Sequence, residues 1–300
     1  MAMMGGTVDT AKCAAALRAA ELGSMAAAAE ELGYTPSGMS RIVASLEAEL
    51  GFVLLVRGKA GVSLTAEGEA MLPSLRALVA AERACGEQAS ALRGAECGSV
   101  TVGSAYRQFY RQLAGIIAAF GREYPGIAVN LVEANSSALL DMLMRRELDF
   151  AIMSRREGDF RWTPLLTDPM VAVLPAAHPD AGCAAFPVER LAEGPFIQVY
   201  PGEDCDNSRT LEAAGVCPAP RYTVRDTHAA FALVEAGLGI TLMNDIYARD
   251  TRADIAFMPL EPRVDIEIGV ATPRVALSPA LAAFEAFALP RLSASTRPRE

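Results

Sequence analysis

Hydrophobic residues in the first 51 positions recur at helical spacing and are interrupted at two turns. Alanine and leucine dominate between 11 and 51, and the runs break at Gly23-Ser24 and at 33–36. Ser24 and Thr35 are suited to capping helix N-termini, and Pro36 follows Thr35 where a missing N–H costs nothing. The pattern therefore predicts three helices, with the second over 25–32 and the third over 36–50, as in a helix-turn-helix.

Two short apolar runs follow the third helix and flank a basic, glycine-rich turn. Residues 52–56 and 62–64 are strand-like, and the turn between them carries Arg57 and Lys59. Two short strands around a basic turn, placed directly after a helix-turn-helix, predict a wing.

A long helix, capped by Thr65, is predicted from 66 to about 93. Seam positions along it alternate steps of four and three, which is the a/d pattern of a pairing helix. These positions are Met71, Leu75, Leu78, Glu82, Cys85, Ala89 and Leu92. The seam is longer than so small a head covers, so we favour pairing with a second copy over packing on the head alone. Pro73 predicts a kink, and Glu82 places a charge in the seam.

Beyond a hinge at 94–98, predicted strands alternate with predicted helices, which is typical of an α/β sheet with βαβ crossovers. Strands are expected at 99–103, 128–133, 150–153, 170–174, 196–200, 221–224, 240–243 and 266–272. Helices are expected at 108–124, 137–146, 208–214, 227–236 and 279–287. Gly237-x-Gly239 follows a helix instead of preceding one, so it indicates a tight turn and not a dinucleotide loop.

Composition and charge narrow the class of protein. At about 150 residues per domain, the chain corresponds to two domains. Its 52% hydrophobic and 21% charged residues exclude global disorder. No uncharged apolar run approaches the roughly 18 residues of a membrane span, and the N-terminus lacks the order of a secretory signal. We therefore expect a cytoplasmic protein without membrane contact. The net charge of −9 argues against a generally basic nucleic-acid coat but allows a local basic patch.

The chain offers few groups for catalysis or metal binding. Its six cysteines are scattered without a C-x-x-C pair, and its two histidines, His178 and His228, lie far apart. This pattern predicts neither a zinc site nor a disulfide framework. No Ser-His-Asp or Cys-His arrangement and no P-loop appears, so we expect no catalytic residue, no metal, no cofactor and no enzyme activity.

Ordered motifs along nearly the whole chain resemble those of LysR-type transcriptional regulators. In the first third they are Gly23-Ser-Met-Ala-Ala-Ala-Ala-Glu-Glu-Leu32, Ser40-Arg-Ile-x-x-x-Leu46-Glu47, Glu49-Leu-Gly51, Leu55-x-Arg57 and Leu64-Thr65-x-x-Gly68. In the body they are Phe120-x-x-x-Tyr124-Pro125, Leu148-Asp149-Phe-Ala-Ile152 and Val234-Glu-Ala-Gly237-Leu-Gly239. Each motif is weak by itself, and their order and spacing make the resemblance specific.

The resemblance implies an α/β protein in three parts. Residues 1–65 would be a winged helix-turn-helix DNA-binding domain, and 66–98 a linker and dimerisation helix with its hinge. Residues 99–293 would form a periplasmic-binding-protein-like effector domain of two Rossmann-like lobes. Lobe I would comprise 99–168 and 269–293, and lobe II 169–268. Crossings near 167–171 and 267–270 would leave a ligand cleft between the lobes.

The resemblance places DNA contacts at the start of the third helix and on the wing, since a recognition helix meets base edges with its N-terminal residues. The candidates are Thr35, Pro36, Ser37, Gly38, Ser40, Arg41, Arg57 and Lys59. Many family members carry Gln where Pro36 stands, so base recognition is expected to depend on Ser37, Arg41 and DNA shape. Up to Thr65 the head has five basic and six acidic residues, so we expect dimerisation onto two half-sites to supply the missing affinity.

Polar residues at strand ends of the body are the candidate effector site, because a strand that feeds a helix N-terminus is suited to a small anion. The candidates are Ser104, Tyr106, Arg107, Ser136, Ser137, Gln198, Tyr200 and Thr227. Hydroxyls together with Arg107 suit a carboxylate, which predicts a small anionic effector. The alternative for each Ser or Thr is an ordinary helix cap, and for Arg107 a solvated charge. The expected mechanism is a dimer of dimers in which the effector changes the angle between the lobes, and with it the DNA-bound heads and RNA polymerase recruitment.

One alternative keeps the architecture and replaces the ligand by a redox trigger. In a small subset of the family, two cysteines in the second lobe form a peroxide-sensing disulfide, and Cys205 and Cys217 lie in that region. The acids Asp204 and Asp206 beside Cys205 disfavour the thiolate that oxidation requires. A solute-binding protein would fit the two-lobed body but not the helix-turn-helix head.

Overall fold

The computed structural model describes residues 8–58, 61–92, 97–274 and 277–295. A small helical head is followed by one long helix and then by a two-lobed α/β body. None of the helices in these ranges is long and apolar enough to cross a membrane.

Three short helices form the head, with α1 at Thr10–Glu21, α2 at Met25–Glu31 and α3 at Pro36–Leu50. The Ser24 side chain accepts a hydrogen bond from the amide of Ala27, and the Thr35 side chain accepts one from the amide of Gly38, so both predicted caps are confirmed. The apolar faces of the helices meet in one core that includes Cys13, Met39, Val43 and Leu46.

The wing is an antiparallel hairpin of β1, Leu55–Gly58, and β2, Gly61–Leu64. Strand β1 begins at Leu55, later than the predicted strand at 52–56, because the residues before it contact α3. The amides of Leu54 and Leu55 both donate to Oε1 of Glu47, at 2.8 and 3.0 Å. Glu47 therefore fixes the wing against the third helix.

Helix α4 spans Ala66–Leu92 and starts where Thr65 accepts a hydrogen bond from the amide of Gly68 at 2.9 Å. Its first turns pack on the head, where Leu72 and Leu75 are buried in the head core. Farther along, Leu78 is 38% exposed and Cys85 is exposed. The predicted seam is thus divided: its first positions cover the chain's own head, whereas Leu78, Glu82 and Cys85 are exposed.

Helix α4 also contacts the body through charged side chains. Arg83 forms an ion pair with Asp149 at 3.1 Å, and Arg76 forms one with Glu147. The Glu87 carboxyl is buried against Gly98, where an added Cβ would come within 2.7 Å of it. Gly98 also has a φ of 147°, a backbone conformation that favours glycine where α4 meets the first strand of the body.

Lobe I is built on the parallel strands β3, Gly98–Ser104, β4, Ile127–Glu133, and β5, Phe150–Ser154, in the order β4-β3-β5. Its helices are α5 at Tyr110–Glu123, α6 at Ser136–Met144 and α9 at Pro279–Ser295. A 3₁₀ turn at Arg107–Phe109 leads into α5. Apolar clusters cover both faces of this sheet, as βαβ crossovers require.

Two strands continue the sheet from lobe I into lobe II. Strand β6, Phe160–Pro175, pairs along its first part with β12, Asp265–Pro273, and along its second part with β10, Thr241–Asn244, and β11, Ile255–Glu261. The remaining strands of lobe II are β7 at Phe186–Pro187, β8 at Phe196–Val199 and β9 at Pro220–Val224. Its helices are α7 at Asp206–Ala214 and α8 at Thr227–Glu235, with 3₁₀ turns at Val188–Ala192 and Asp245–Asp250.

The predicted α/β class with a winged head and a two-lobed body is confirmed, and several elements of the body differ from the prediction. Strand β6 begins at Phe160, well before the expected start at 170. Its first half was not predicted because Pro164 and Pro169 interrupt the apolar pattern there. Strands β7 and β11 were not predicted. Helix α9 continues past the expected end at 287 and includes Pro290.

Candidate DNA-binding face and effector cleft

The candidate DNA-binding residues lie on one face of the head. Thr35, Pro36 and Ser37 are exposed at the N-terminus of α3, and Arg41 is exposed about one turn farther on. Gly38 and Ser40 are half-buried between them. An exposed helix N-terminus with short polar side chains has the shape that enters a major groove.

The wing residue Arg57 joins this face. Its Nη1 donates a hydrogen bond to the Ser40 hydroxyl at 3.3 Å, which places the guanidinium beside the third helix. Lys59 lies outside the described residues.

Ion pairing within the head leaves its positive charge on this face. Lys12 is paired with Glu49, and Arg18 is paired with Glu31 at 2.7 Å. Among the described residues, Arg41 and Arg57 have no acidic partner. A nearly neutral head therefore still presents two guanidinium groups to a phosphate backbone.

Tyr34 also lies on this face and is not among the predicted DNA-binding residues; it stands just before the Thr35 cap and is 41% exposed. The sequence does show a large aromatic residue in the turn between α2 and α3. Such residues are normally buried, so one in a turn is a candidate for contact with a partner.

The body holds a cavity of about 250 Å³ between its lobes. Lobe I contributes residues at the carboxyl ends of β3 and β4, and lobe II contributes residues at the carboxyl ends of β8, β9 and β10. The crevice beyond the carboxyl ends of strands is where open α/β sheets bind ligands.

Four of the eight predicted effector residues line this cavity: Tyr106, Ser136, Tyr200 and Thr227. The other four do not. Ser104 is fully buried and bonds to the backbone of Tyr106, which shapes the turn after β3. Gln198 is half-buried within β8, and Ser137 faces a wider, open groove of about 890 Å³ on the far side of the lobe contact.

Arg107, the expected partner of an anion, does not line the cavity. Its side chain is 49% exposed and pairs with Asp226 at 3.3 Å. It lines an adjoining pocket with Gln108 and Tyr110, and this pocket shares Thr227 and Tyr247 with the cavity wall. Asp226, and not Thr227, is the N-cap of α8. The pairing of Arg107 was not predicted because the acid that holds it is 119 positions away in the sequence.

A buried network joins the two lobes beside the cavity. Asp206 of lobe II accepts hydrogen bonds from Tyr106 at 2.6 Å and Ser154 at 2.6 Å, and from Arg156 at 2.9 Å. The side chains of Arg156 and Asp206 are only 5% and 8% exposed. Ser136 Oγ lies 2.9 Å from Ser154 Oγ and extends the network within lobe I.

Further contacts across the cleft are more exposed. Asn135 donates to Glu203 at 2.9 Å, and Ser137 donates to Asp204 at 2.8 Å. Hydrogen bonds from Arg209 lower the pKa of Asp204. The lobes are therefore held together by one buried ion pair with polar contacts around it.

Tyrosines surround the cavity and share a negative environment. Burial raises the pKa of Tyr106, and Asp206 raises it further. Burial and the Glu133 carboxylate raise the pKa of Tyr110 to about 12. Tyr200 adopts a left-handed backbone conformation with φ of 55°, which costs a bulky residue about 1–3 kcal/mol. Its amide donates to Val224 at 2.9 Å, which holds the strained turn at the cavity.

Several residues at or beside the cavity were not predicted although their positions in the sequence indicate them. Ser154 is the last residue of the buried strand β5 and Arg156 lies two positions beyond it, while Asn244 is the last residue of β10 and Tyr247 lies three positions beyond it. Each stands at a carboxyl strand end, the position used to choose the other candidates.

The two cysteines of the redox alternative are both free thiols. Cys205 is half-buried on the cavity wall, and Cys217 is exposed. A redox trigger at these residues stays a prediction. In the described part of the chain, no group of three or more His, Cys, Asp or Glu side chains is placed to hold a metal ion.

The fold and the two sites define a winged-helix protein with a two-lobed binding domain. Residues 12–69 match the family described as "Bacterial regulatory helix-turn-helix protein, lysR family", and residues 93–293 match the "LysR substrate binding domain". The chain belongs to the LysR family of transcriptional regulators.

Individual relatives agree with this assignment. The transcriptional regulator CbbR of Rhizobium meliloti is 30% identical over 74% of this chain and 72% of its own length. A full-length OxyR variant from Pseudomonas aeruginosa has a TM-score of 0.70 at 23% identity, covering 98% of this chain and 96% of that chain. Full-length CbnR complexed with its target DNA has a TM-score of 0.57 at 22% identity, covering 94% and 99%. The two solved structures share the fold of this chain.

Proposed function

We propose that this protein is a sequence-specific transcription regulator whose head binds promoter DNA and whose cleft binds a small effector. It acts in the cytoplasm as a homodimer or a dimer of dimers, and it is not an enzyme. Its parts are the DNA-binding domain at 1–65, the linker helix at 66–98 and the effector domain at 99–293.

The observation that carries the DNA-binding proposal is the pairing pattern of the head cations. Arg41 and Arg57 stand without acidic partners on the face that carries the exposed N-terminus of α3, whereas Lys12 and Arg18 are held by glutamates. The contact from Arg57 to Ser40 makes helix and wing one surface.

The body is connected to the head through α4. Arg76 lies between Glu147 of lobe I and Glu21 of α1, at 3.6 Å from the latter. An effector that binds one lobe arrangement better than another would move these contacts and so shift the heads on DNA and the recruitment of RNA polymerase. The solved complex of CbnR with its target DNA, which has the same fold, supports a DNA-bound state of this kind.

Genomic footprinting with the full-length protein, followed by binding to the best fragment at several salt concentrations, tests this function. We expect Arg41→Ala to weaken binding by about 1–3 kcal/mol if it contacts a base, or to reduce the salt slope by about one if it contacts phosphate. Arg122→Ala is the matched control, since Arg122 is exposed at the far end of α5. Failure of the wild-type protein to retain any chromosomal fragment at low salt would overturn the proposal.

A further inference from the structure

The cavity between the lobes has an excess of negative charge. Among the described residues, three carboxylates line it, from Glu133, Glu203 and Asp206, and one guanidinium, from Arg225. An anion bound there would replace water beside acidic groups, which is unfavourable at short range.

Two of these carboxylates are already neutralised by the protein. Asp206 is bonded to Arg156, and Glu203 is bonded to Arg225 at 2.7 Å and to Asn135 at 2.9 Å. Glu133 has no cationic partner among the described residues. The Glu133 side chain is exposed on the cavity wall, so its carboxylate is solvated and not ion-paired, and an ammonium group at the wall can pair with it.

The cavity wall is also aromatic. Tyr106, Tyr200 and Tyr247 all line it, and the ring centroids of Tyr106 and Tyr247 are 6.4 Å apart. Tyrosine rings attract organic cations through the negative charge of their faces, and several rings around one site favour ammonium groups.

Asn244 provides an independent indication that a ligand belongs here. It lies on the cavity wall and is 3% exposed, and its side-chain nitrogen is buried without a hydrogen-bond partner. A buried amide donor left unpaired costs about 1–3 kcal/mol. Rotation of the Asn244 amide toward the cavity, where a ligand oxygen accepts from it, would remove this cost.

We propose that the effector is a small organic cation whose ammonium group lies beside Glu133 among the tyrosines and whose hydroxyl or carbonyl oxygen accepts from Asn244. The proposal specifies the ligand of the effector site in the proposed function and rests on that function. It reverses the charge expected from the sequence, because Arg107, which suggested an anion, is paired with Asp226 outside the cavity. The volume of about 250 Å³ restricts the ligand to a small metabolite.

Calorimetric titration with matched probes tests the ligand class. Choline, ethanolamine and glycinamide carry an ammonium group and an oxygen acceptor, tetramethylammonium carries only the charge, and glycolate is an anion of similar size to ethanolamine. We expect at least one of the first three to bind, tetramethylammonium to bind about tenfold more weakly than choline, and glycolate not to bind.

Substitutions at Glu133 and Asn244 test which side chains contact the ammonium group and the oxygen of the ligand. Glu133→Gln should weaken binding of the best cation about tenfold or more, while Glu123→Gln, an exposed glutamate of the same lobe on α5, should leave it unchanged. Asn244→Ala should weaken choline binding and leave tetramethylammonium binding nearly unchanged, which separates the hydrogen bond from the charge.

DNA retention by the same preparations separates this proposal from the function on which it rests. If the protein retains promoter DNA but binds none of the cations at millimolar concentration, or binds glycolate in preference to them, the ligand class is wrong and the regulator function stands. Unchanged cation binding by Glu133→Gln would overturn the site. Cation binding without DNA retention would overturn the regulator function instead.

Discussion

Burial determines the chemistry of Cys13 in the head. Its side chain is 0% exposed, and burial together with the charge of Asp9 raises the pKa of its thiol. A raised pKa leaves a smaller thiolate fraction at every pH below it, and the thiolate is the reactive form. We predict that iodoacetamide at pH 8 labels the exposed Cys85, Cys183 and Cys217 before Cys13, as followed by peptide mass mapping.

Denatured protein is the control for that experiment, because all cysteines should then react at similar rates. Equal labelling rates for Cys13 and Cys85 in the folded protein would contradict the buried position.

The role of a residue could be predicted where its bonding partner is near in sequence and not where the partner is distant. Ser24, Thr35 and Thr65 cap helices as expected because their partners are three residues away. The partners of Arg107 and Arg156 are 119 and 50 positions away, and no local pattern identifies such pairs. For the same reason the sequence indicated a cleft but not which charged residues line it.

The two glycines inside α4 should respond oppositely to alanine. A Cβ at Gly68 would lie 2.3 Å from the Leu54 carbonyl oxygen, whereas a Cβ at Gly86 would meet nothing within 4 Å. We predict that Gly68→Ala destabilises the head by about 1–3 kcal/mol through overpacking. Gly86→Ala should stabilise the helix by up to about 1 kcal/mol, because alanine has the higher helix propensity.

Urea unfolding followed by circular dichroism measures both changes, and each variant serves as the control for the other. An unchanged midpoint for Gly68→Ala would mean that α4 does not pack closely against the connection to the wing.

The exposed positions of the α4 seam allow a test of pairing with a second copy. Leu78 is 38% exposed on this helix, and Leu238 is 37% exposed on the body. If α4 pairs with a second copy, Leu78→Glu places a charge in that interface and should weaken dimerisation at least about tenfold. Leu238→Glu is the matched control. Sedimentation velocity at micromolar concentration distinguishes them, and equal dimer populations would exclude pairing through Leu78.

Elements with a strong local period were predicted, and elements defined by sheet partners were not. The helix over 36–50 was correct at both ends, because the Thr35 cap, Pro36 and Gly51 mark them locally. Strand β6 extends from lobe I into lobe II, and its first half forms because β12 pairs with it despite two prolines. Such a strand depends on residues about a hundred positions away, so its own sequence shows only the buried second half.

At the scale of the whole molecule, the buried pair of Arg156 and Asp206 should hold the lobes closed. Removing one partner leaves the other charge buried without compensation, which typically costs 3–5 kcal/mol. We therefore predict a loss of about that size in the unfolding free energy of the effector domain for Asp206→Ala, measured by urea denaturation. The exposed pair of Asp204 and Arg209 is the internal comparison, since exposed ion pairs contribute about 0–1 kcal/mol.

A double substitution distinguishes an uncompensated charge from a general packing defect. Arg156→Met combined with Asp206→Leu removes both charges and keeps apolar volume, so it should recover much of the stability lost in Asp206→Ala. It should not restore the closed arrangement fully, because Tyr106 and Ser154 also lose their acceptor. Small-angle scattering should then show a larger radius of gyration for the double variant than for wild type. If Asp206→Ala costs no more than Asp204→Ala and the scattering is unchanged, the buried pair does not hold the lobes together, and the exposed contacts around it must do so.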